Sequence, residues 1–267
     1  MTSESYVIAT GRKGRDRLRV LTRVFEPTTS RLLDGIGIAE GMTCLDAGCG
    51  GGDVAVDLAR RVGPSGRVVG IDLDAESLDI ARHEAADMTL GTIEYRVCDV
   101  FDLQQETGFD IVYARFLLSH LPDPPSALAR MVGVLNPGGV LIVEDIEFSA
   151  HFCFPESPAF RDYVRLYSET VRARGDDPDI GPRLPSLLPA AGLSEVDLTV
   201  VQPAGTRGEV KLISPITMET IGDAVVSAGL ATAEEIARIA EQLYAEARDE
   251  NTLFSVPRIM QAWGRKV

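Results

Sequence analysis

The sequence predicts a doubly wound α/β fold on a parallel sheet, and three observations carry that expectation. From Cys44 to Asp53 the chain reads Cys-Leu-Asp-Ala-Gly-Cys-Gly-Gly-Gly-Asp, an apolar run into an acid and a glycine cluster. A helical pattern of Val54, Ala55, Leu58, Ala59 and Val62 follows at once, so the order is strand, tight loop, helix. Short apolar runs then alternate with helical patterns as far as Glu144, which is the rhythm of a sheet whose strands are joined by crossover helices.

The elements follow in order. Leu18, Leu21, Val24 and Phe25 recur at helical spacing from Asp16 to Phe25, and Pro27 is expected to stop that helix. A second short helix carries Leu32 and Leu33 and ends near Gly35 and Gly37. After the glycine-loop helix, the turn at Gly63-Pro64-Ser65-Gly66 delivers a strand over Arg67–Asp72, and Asp74 reads as the N-cap of a helix through Ala86. A third strand spans Thr92–Cys98 and a fourth Asp110–Phe116. Asp123 with prolines behind it starts a helix bearing Leu128, Met131, Val132 and Leu135. Asn136-Pro137-Gly138-Gly139 is expected to turn into a fifth strand over Val140–Glu144.

Beyond Glu144 the rhythm changes. Ser157-Pro158 opens a helix with Phe160, Tyr163, Val164, Tyr167 and Val171 on one stripe, closed by Gly175. A polar loop over Asp176–Pro182 leads to a short helix with Leu184, Leu187 and Leu188. A sixth strand spans Val196–Val201, and Thr232-Ala233-Glu234-Glu235 is a capping box for a helix to about Arg248. The last strand is placed at Ser255–Trp263, with Pro257 suited to an edge.

The glycine loop carries the chemistry. Gly48, Gly50 and Gly52 permit a sharp turn and a close approach of backbone to ligand, and the helix that follows offers unpaired N–H groups. A dinucleotide fingerprint would place a third glycine where Asp53 stands, and an acid there is a poor neighbour for a pyrophosphate. It is tolerable beside a net cationic ligand. The stretch resembles motif I of the class I S-adenosylmethionine-dependent methyltransferases, and Leu-Asn-Pro-Gly-Gly-Val-Leu-Ile-Val after a helix strengthens the likeness. The resemblance is specific from about Thr43 to Gly139, and its overall layout is similar to the bacterial small-molecule enzymes of quinone and natural-product biosynthesis.

That resemblance implies a Rossmann-like, seven-stranded, mostly parallel sheet with an antiparallel last strand at its edge, N-terminal helices, and a helical lid inserted after strand five. It implies one domain over 1–267: a cap at 1–40, a cofactor core at 41–147, a lid at 148–190 and the remaining elements at 191–267. It implies S-adenosylmethionine held by Asp46, Gly48, Cys49, Gly50, Asp72, Leu73, Asp99, Val100 and Arg115. Asp72 would accept the ribose hydroxyls and Asp99 with Val100 would read adenine. An N-terminal segment closing over the cofactor makes Tyr6 and Arg17 contact candidates, with surface packing the plainer reading of both.

The substrate side is read from the residues. Phe152, Phe154 and Tyr163 are candidate acceptor contacts, because an aromatic lid suits a small, partly hydrophobic metabolite. His120, just past the fourth strand, is the first candidate for a general base and His151 the second; His83, mid-helix, is set aside. Glu144, Asp145 and Glu147 read as a solvated strand end, so no metal is expected.

Composition bounds the alternatives. A net charge of −14 over 267 residues opposes nucleic-acid binding. The basic cluster of Arg12, Lys13, Arg15, Arg17 and Arg19 reads as a solvated helix face. No apolar run approaches the roughly 20 residues that span a bilayer, the N-terminus is polar, and Cys44, Cys49, Cys98 and Cys153 form no C-x-x-C pair. A cytoplasmic protein with a small-molecule partner, monomeric or homodimeric, is expected. A non-catalytic S-adenosylmethionine-binding module and a nicotinamide-dependent oxidoreductase remain as alternatives.

Overall fold

The computed structural model describes residues 11–88, 90–103 and 107–267, with side chains from residue 17 onward. Seven strands form one sheet in the order β3-β2-β1-β4-β5-β10-β7. They are β1 (Thr43–Ala47), β2 (Arg67–Asp72), β3 (Ile93–Val97), β4 (Phe109–Arg115), β5 (Leu135–Glu147), β7 (Leu193–Val201) and β10 (Arg258–Lys266). A small second sheet joins β6 (Cys153–Phe154), β8 (Ala204–Gly205) and β9 (Leu253–Ser255). Pairing from β3 through β5 is parallel, whereas β10 is antiparallel to both β5 and β7. The chain runs outward from β1 through β2 to β3, then returns to β4 on the other side. The crevice at the carboxyl ends of β1 and β4 is therefore the switch point where such sheets place ligands.

The central strands are buried on both faces, and successive side chains join two different cores. Cys44, Val68, Ile111 and Tyr113 face α2 (Asp53–Val62) and α3 (Ala75–Asp87), packing with Leu58 and Leu78. Leu45, Val69, Val112 and Leu141 face the other way, onto α4 (Pro124–Val134) and α6 (Leu184–Ala190). A third cluster lies beyond the strand ends. It packs α1 (Gly11–Ile36), α5 (Pro158–Ala173), α7 (Ile213–Thr220), α8 (Gly222–Ser227) and α9 (Ala233–Arg248) around Phe25, Tyr163, Tyr167, Met218 and Leu243.

Several boundaries differ from the expectation. Pro27 does not end the first helix: α1 continues to Ile36. Proline removes one N–H and crowds the preceding turn. The two halves of α1 are both packed, Phe25 in the third cluster and Leu33 against α2 and the sheet, and that burial holds the helix continuous. Leu135–Gly139 is not a separate turn but the start of β5, accommodated by a register shift against β4 and by Gly138 at φ 78°. The last strand is divided at Val256-Pro257 into β9 and β10. It is not at the edge either, since β7 pairs along its outer side. The segment 148–190 is not one lid. Its α5 joins the third cluster, whereas Leu184 and Leu188 of α6 are buried in the core under the sheet.

The caps follow the sequence closely. Asp74 accepts from Glu76 N at 3.2 Å, Asp123 from Ser126 N at 3.1 Å and Ser157 from Phe160 N at 3.1 Å, and the Thr232–Glu235 capping box is complete.

Candidate cofactor and acceptor site

The glycine loop folds against the end of β2. Gly48 N and Cys49 N both donate to the Ile71 carbonyl, at 2.8 and 2.9 Å. Gly48, Gly50 and Gly52 have φ of 70°, 51° and 79°, the left-handed region that glycine enters without a side-chain clash. A Cβ on Gly52 would stand 2.2 Å from the Tyr95 hydroxyl, and one on Gly48 would stand 2.9 Å from Leu117. Asp72 secures the loop from below: its Oδ2 accepts Gly50 N at 2.8 Å and its Oδ1 accepts Asp74 N at 2.9 Å. Burial raises the Asp72 pKa, partly opposed by those N–H groups. Each oxygen retains a lone pair for a further donor.

Two more charged side chains stand at the ends of the neighbouring strands. Asp46, on β1, is 2% exposed, and its Oδ2 has no hydrogen-bond partner. Burial pushes its carboxyl up to about 7, with Arg115 pulling the other way. Arg115, on β4, donates to Thr29 Oγ1 at 3.3 Å and lies 5.7 Å from the Phe116 ring centroid. Burial acts against its charge, but the neighbouring Tyr113, Glu144, Asp46 and Asp53 outweigh it and raise its pKa.

Above this floor is a cavity of about 180 Å³ that runs from the glycine loop, Asp46 and Asp72 to Phe148, Tyr163 and Ile213. One end is polar and backbone-lined, the other apolar and aromatic. Helices α1, α5 and α7 form the roof through Leu21, Phe25, Tyr163 and Thr217. His120 reaches the cavity from the turn after β4, with its pKa lowered to about 4 by burial, then by Arg17 and Arg174. Arg17 also lines the cavity and donates from Nε to Thr217 Oγ1 at 3.1 Å. Its assignment to a solvated helix face is thus corrected.

The expected site residues divide accordingly. Asp46, Gly48, Cys49, Gly50, Asp72, Arg115, His120 and Tyr163 line the one cavity; Leu73, Asp99 and Val100 do not. Leu73 is exposed, Asp99 caps Phe101 N at 3.0 Å, and the Val100 side chain is packed in the core. Their backbone groups still stand beside the β2 and β3 ends. Phe152 and Phe154 are exposed, at 42% and 69%, and face away from the cavity. The reason is local: Phe152 N donates to Ser255 Oγ at 2.8 Å and β6 pairs with β9, which turns both rings outward. His151 is likewise outside the cavity. Its Nδ1 lies 2.8 Å from the Phe148 carbonyl, its ring is packed by Phe148, Phe160 and Tyr163, and burial lowers its pKa to about 4. Tyr6 lies outside the described residues.

The acidic strand end is not solvated. Glu144, 1% exposed, accepts from Thr29, Tyr113 and Gln261. Asp145 accepts from the backbone of Leu118, Ser119 and Ile146, and Glu147 pairs with Arg258. The three carboxylates have separate partners, and the described residues contain no cluster of three metal-ligating side chains.

The donor set suits S-adenosylmethionine. Asp72 can accept ribose hydroxyls, the unpartnered Asp46 oxygen can accept from an ammonium, and Arg115 can face a carboxylate. A model of the methyltransferase domain matches residues 38–172, just over half of the chain. The chain belongs to this methyltransferase family. Nocamycin O-methyltransferase of Saccharothrix syringae is 40% identical over 116 residues, 43% of this chain and 41% of that protein. A demethylmenaquinone methyltransferase of Staphylococcus aureus is 32% identical over 142 residues, 53% of this chain and 56% of the relative. The chain thus spans about half the length of those two curated relatives. The solved structure of a Bacillus halodurans protein described as a methyltransferase superposes with a TM-score of 0.58 at 22% identity, over 89% of this chain and 98% of the other. It agrees with the fold: a mostly parallel seven-stranded Rossmann-like sheet. The cofactor of the family is S-adenosylmethionine, and no helix among the described residues is long and apolar enough to cross a membrane.

Proposed function

We propose that this methyltransferase transfers the methyl group of S-adenosylmethionine to a small, partly apolar metabolite. The observation that carries the reading is one continuous cavity, polar at the glycine loop and aromatic under α5 and α7. Asp72, held in place by Gly50 N, orients the ribose, Asp46 and Arg115 take the amino-acid end, and the roof helices exclude water. The bound cofactor supplies an electrophilic methyl group. The protein's remaining work is to align a nucleophile and accept its proton.

His120 is the residue placed to take that proton. With a pKa near 4 it is neutral at pH 7 and can accept, though only as a weak base, which matches an acidic hydroxyl better than an aliphatic alcohol. The O-methyltransferase name of one relative is in keeping with a hydroxyl acceptor. His151, packed against aromatic rings and lining a separate surface pocket, is not among the residues around this cavity, so the role is not given to it.

The test is methyl transfer from methyl-labelled S-adenosylmethionine to a panel of hydroxylated naphthoquinones, phenols and enolic lactones. Label recovered in an organic-soluble product is expected. If no member of a broad panel takes label although the protein binds S-adenosylhomocysteine, the non-catalytic binding reading replaces this one.

A further inference from the structure

Arg17 is a half-buried cation that lines the acceptor end of the cavity. It sits on α1, opposite the floor, and its surroundings are aromatic and aliphatic: Tyr163 and Tyr167 of α5, Ile213 and Thr217 of α7, and His120. Its single hydrogen bond goes from Nε to Thr217 Oγ1, 3.1 Å away. A guanidinium has five N–H donors, so four are left over. Among the described residues no carboxylate pairs with it, although fourteen other arginines among them, Arg19, Arg23, Arg61 and Arg258 included, do make such pairs.

A cation taken from water without a counter-charge is costly, and sequences rarely retain one for stability. The second guanidinium of the cavity, Arg115, is different. It lies among Asp46, Asp53 and Glu144 at the glycine-loop end, where the amino-acid end of the cofactor belongs. Arg17 is electrostatically coupled instead to His120, Tyr163 and Tyr167, away from the loop. We infer that Arg17 is an anchor for an oxyanion carried by the acceptor, a carboxylate or an ionised phenol or enol on an apolar body. Arg17 then selects anionic from neutral acceptors, and the planar fork of its terminal nitrogens fits a carboxylate with two parallel bonds. This rests on the methyl-transfer reading for the orientation of the cavity.

The experiment uses 2-naphthoate, 4-nitrophenolate and the neutral 2-naphthamide as probes, titrated by calorimetry into the protein saturated with S-adenosylhomocysteine. The wild type should bind naphthoate or nitrophenolate at least roughly tenfold more tightly than the amide, and Arg17→Gln should abolish that preference while S-adenosylhomocysteine affinity is unchanged. Arg17→Lys should retain part of it. The melting temperature of ligand-free Arg17→Met should equal or exceed the wild-type value, because a half-buried charge with no carboxylate partner among the described residues has been removed. Equal binding of anionic and neutral probes to the wild type overturns the inference. So does a loss of S-adenosylhomocysteine affinity in Arg17→Gln, which would give the guanidinium to the cofactor, or a large fall in melting temperature in Arg17→Met, which would make it structural. Failure of the wild type to bind S-adenosylhomocysteine at all would instead strike the methyl-transfer reading itself.

Discussion

Thr29 on α1 donates its hydroxyl to Glu144 Oε1 on β5 at 2.9 Å, a buried link between residues 115 positions apart. The same carboxylate accepts from Tyr113 on β4 and, through its other oxygen, from Gln261 on β10 at 2.7 Å. One side chain thus fastens the roof helix to three strands beneath the cavity.

Glu144→Ala should therefore act as a structural lesion. It strands three buried donors, and a loss of about 3–5 kcal/mol in urea-unfolding free energy is expected. A change below about 1 kcal/mol would show that the link contributes little.

Gly52→Ala tests the loop. The residue has φ 79°, and the new Cβ would lie 2.2 Å from the Tyr95 hydroxyl, so backbone strain and a clash coincide. Destabilisation of about 1–3 kcal/mol is expected, with S-adenosylhomocysteine affinity falling as the loop shifts. Pairing this change with Tyr95→Phe should recover part of the lost stability, and no recovery would remove the clash from the explanation.

Asp46 makes cofactor binding sensitive to pH. Burial holds its carboxyl at about 7 in the free protein, well above its ordinary value. A cationic amine beside it favours the ionised form, so binding should release a proton near pH 6 and affinity should rise as pH increases toward 7. Calorimetry of S-adenosylhomocysteine binding in buffers of different ionisation heat would reveal that release, and Asp46→Asn should abolish it. Proton uptake in the wild type would contradict the placement of the ammonium.

His120→Ala should lower turnover by roughly a hundredfold while leaving S-adenosylhomocysteine affinity nearly unchanged. His120 is neutral above about 4 and protonated below it, so wild-type turnover should fall as pH drops through that value, and the mutant should lack this limb. The same shift bears on stability. The folded pKa lies below the ordinary 6.5, so the unfolded chain binds more protons between the two values, and His120 lowers stability as pH falls from about 6.5 to about 4. Wild-type-like turnover and pH profile in the mutant would return His120 to a packing role.

Much of the floor was legible because backbone geometry and residue type coincide there. The glycine spacing, the acid at the end of β2 and the helix caps each carry a local physical signature, and each stands where it was expected. The roof was less legible because it is tertiary. Pro27 signals a helix end, but packing on both sides of it keeps α1 continuous. α7 has a weak amphipathic signal, since Ser214 and Thr217 are among its buried residues, and it was not anticipated. Arg17 lies in a run of basic residues that reads as solvated, and the position of α1 over the cavity, which no local pattern signals, brings it to the site. Phe152 and Phe154 show the converse: aromatic residues near a site that the pairing of β6 with β9 turns outward.

The central claim is that the cavity over the glycine loop takes S-adenosylmethionine with Asp72 beneath its ribose. Calorimetric titration of the wild type and Asp72→Ala with S-adenosylhomocysteine, and of the wild type with NAD, tests it most directly. One site per chain is expected for S-adenosylhomocysteine, weakened roughly tenfold to a hundredfold in Asp72→Ala, with much weaker binding of NAD. Tighter binding of NAD, or an unchanged affinity in Asp72→Ala, would contradict it.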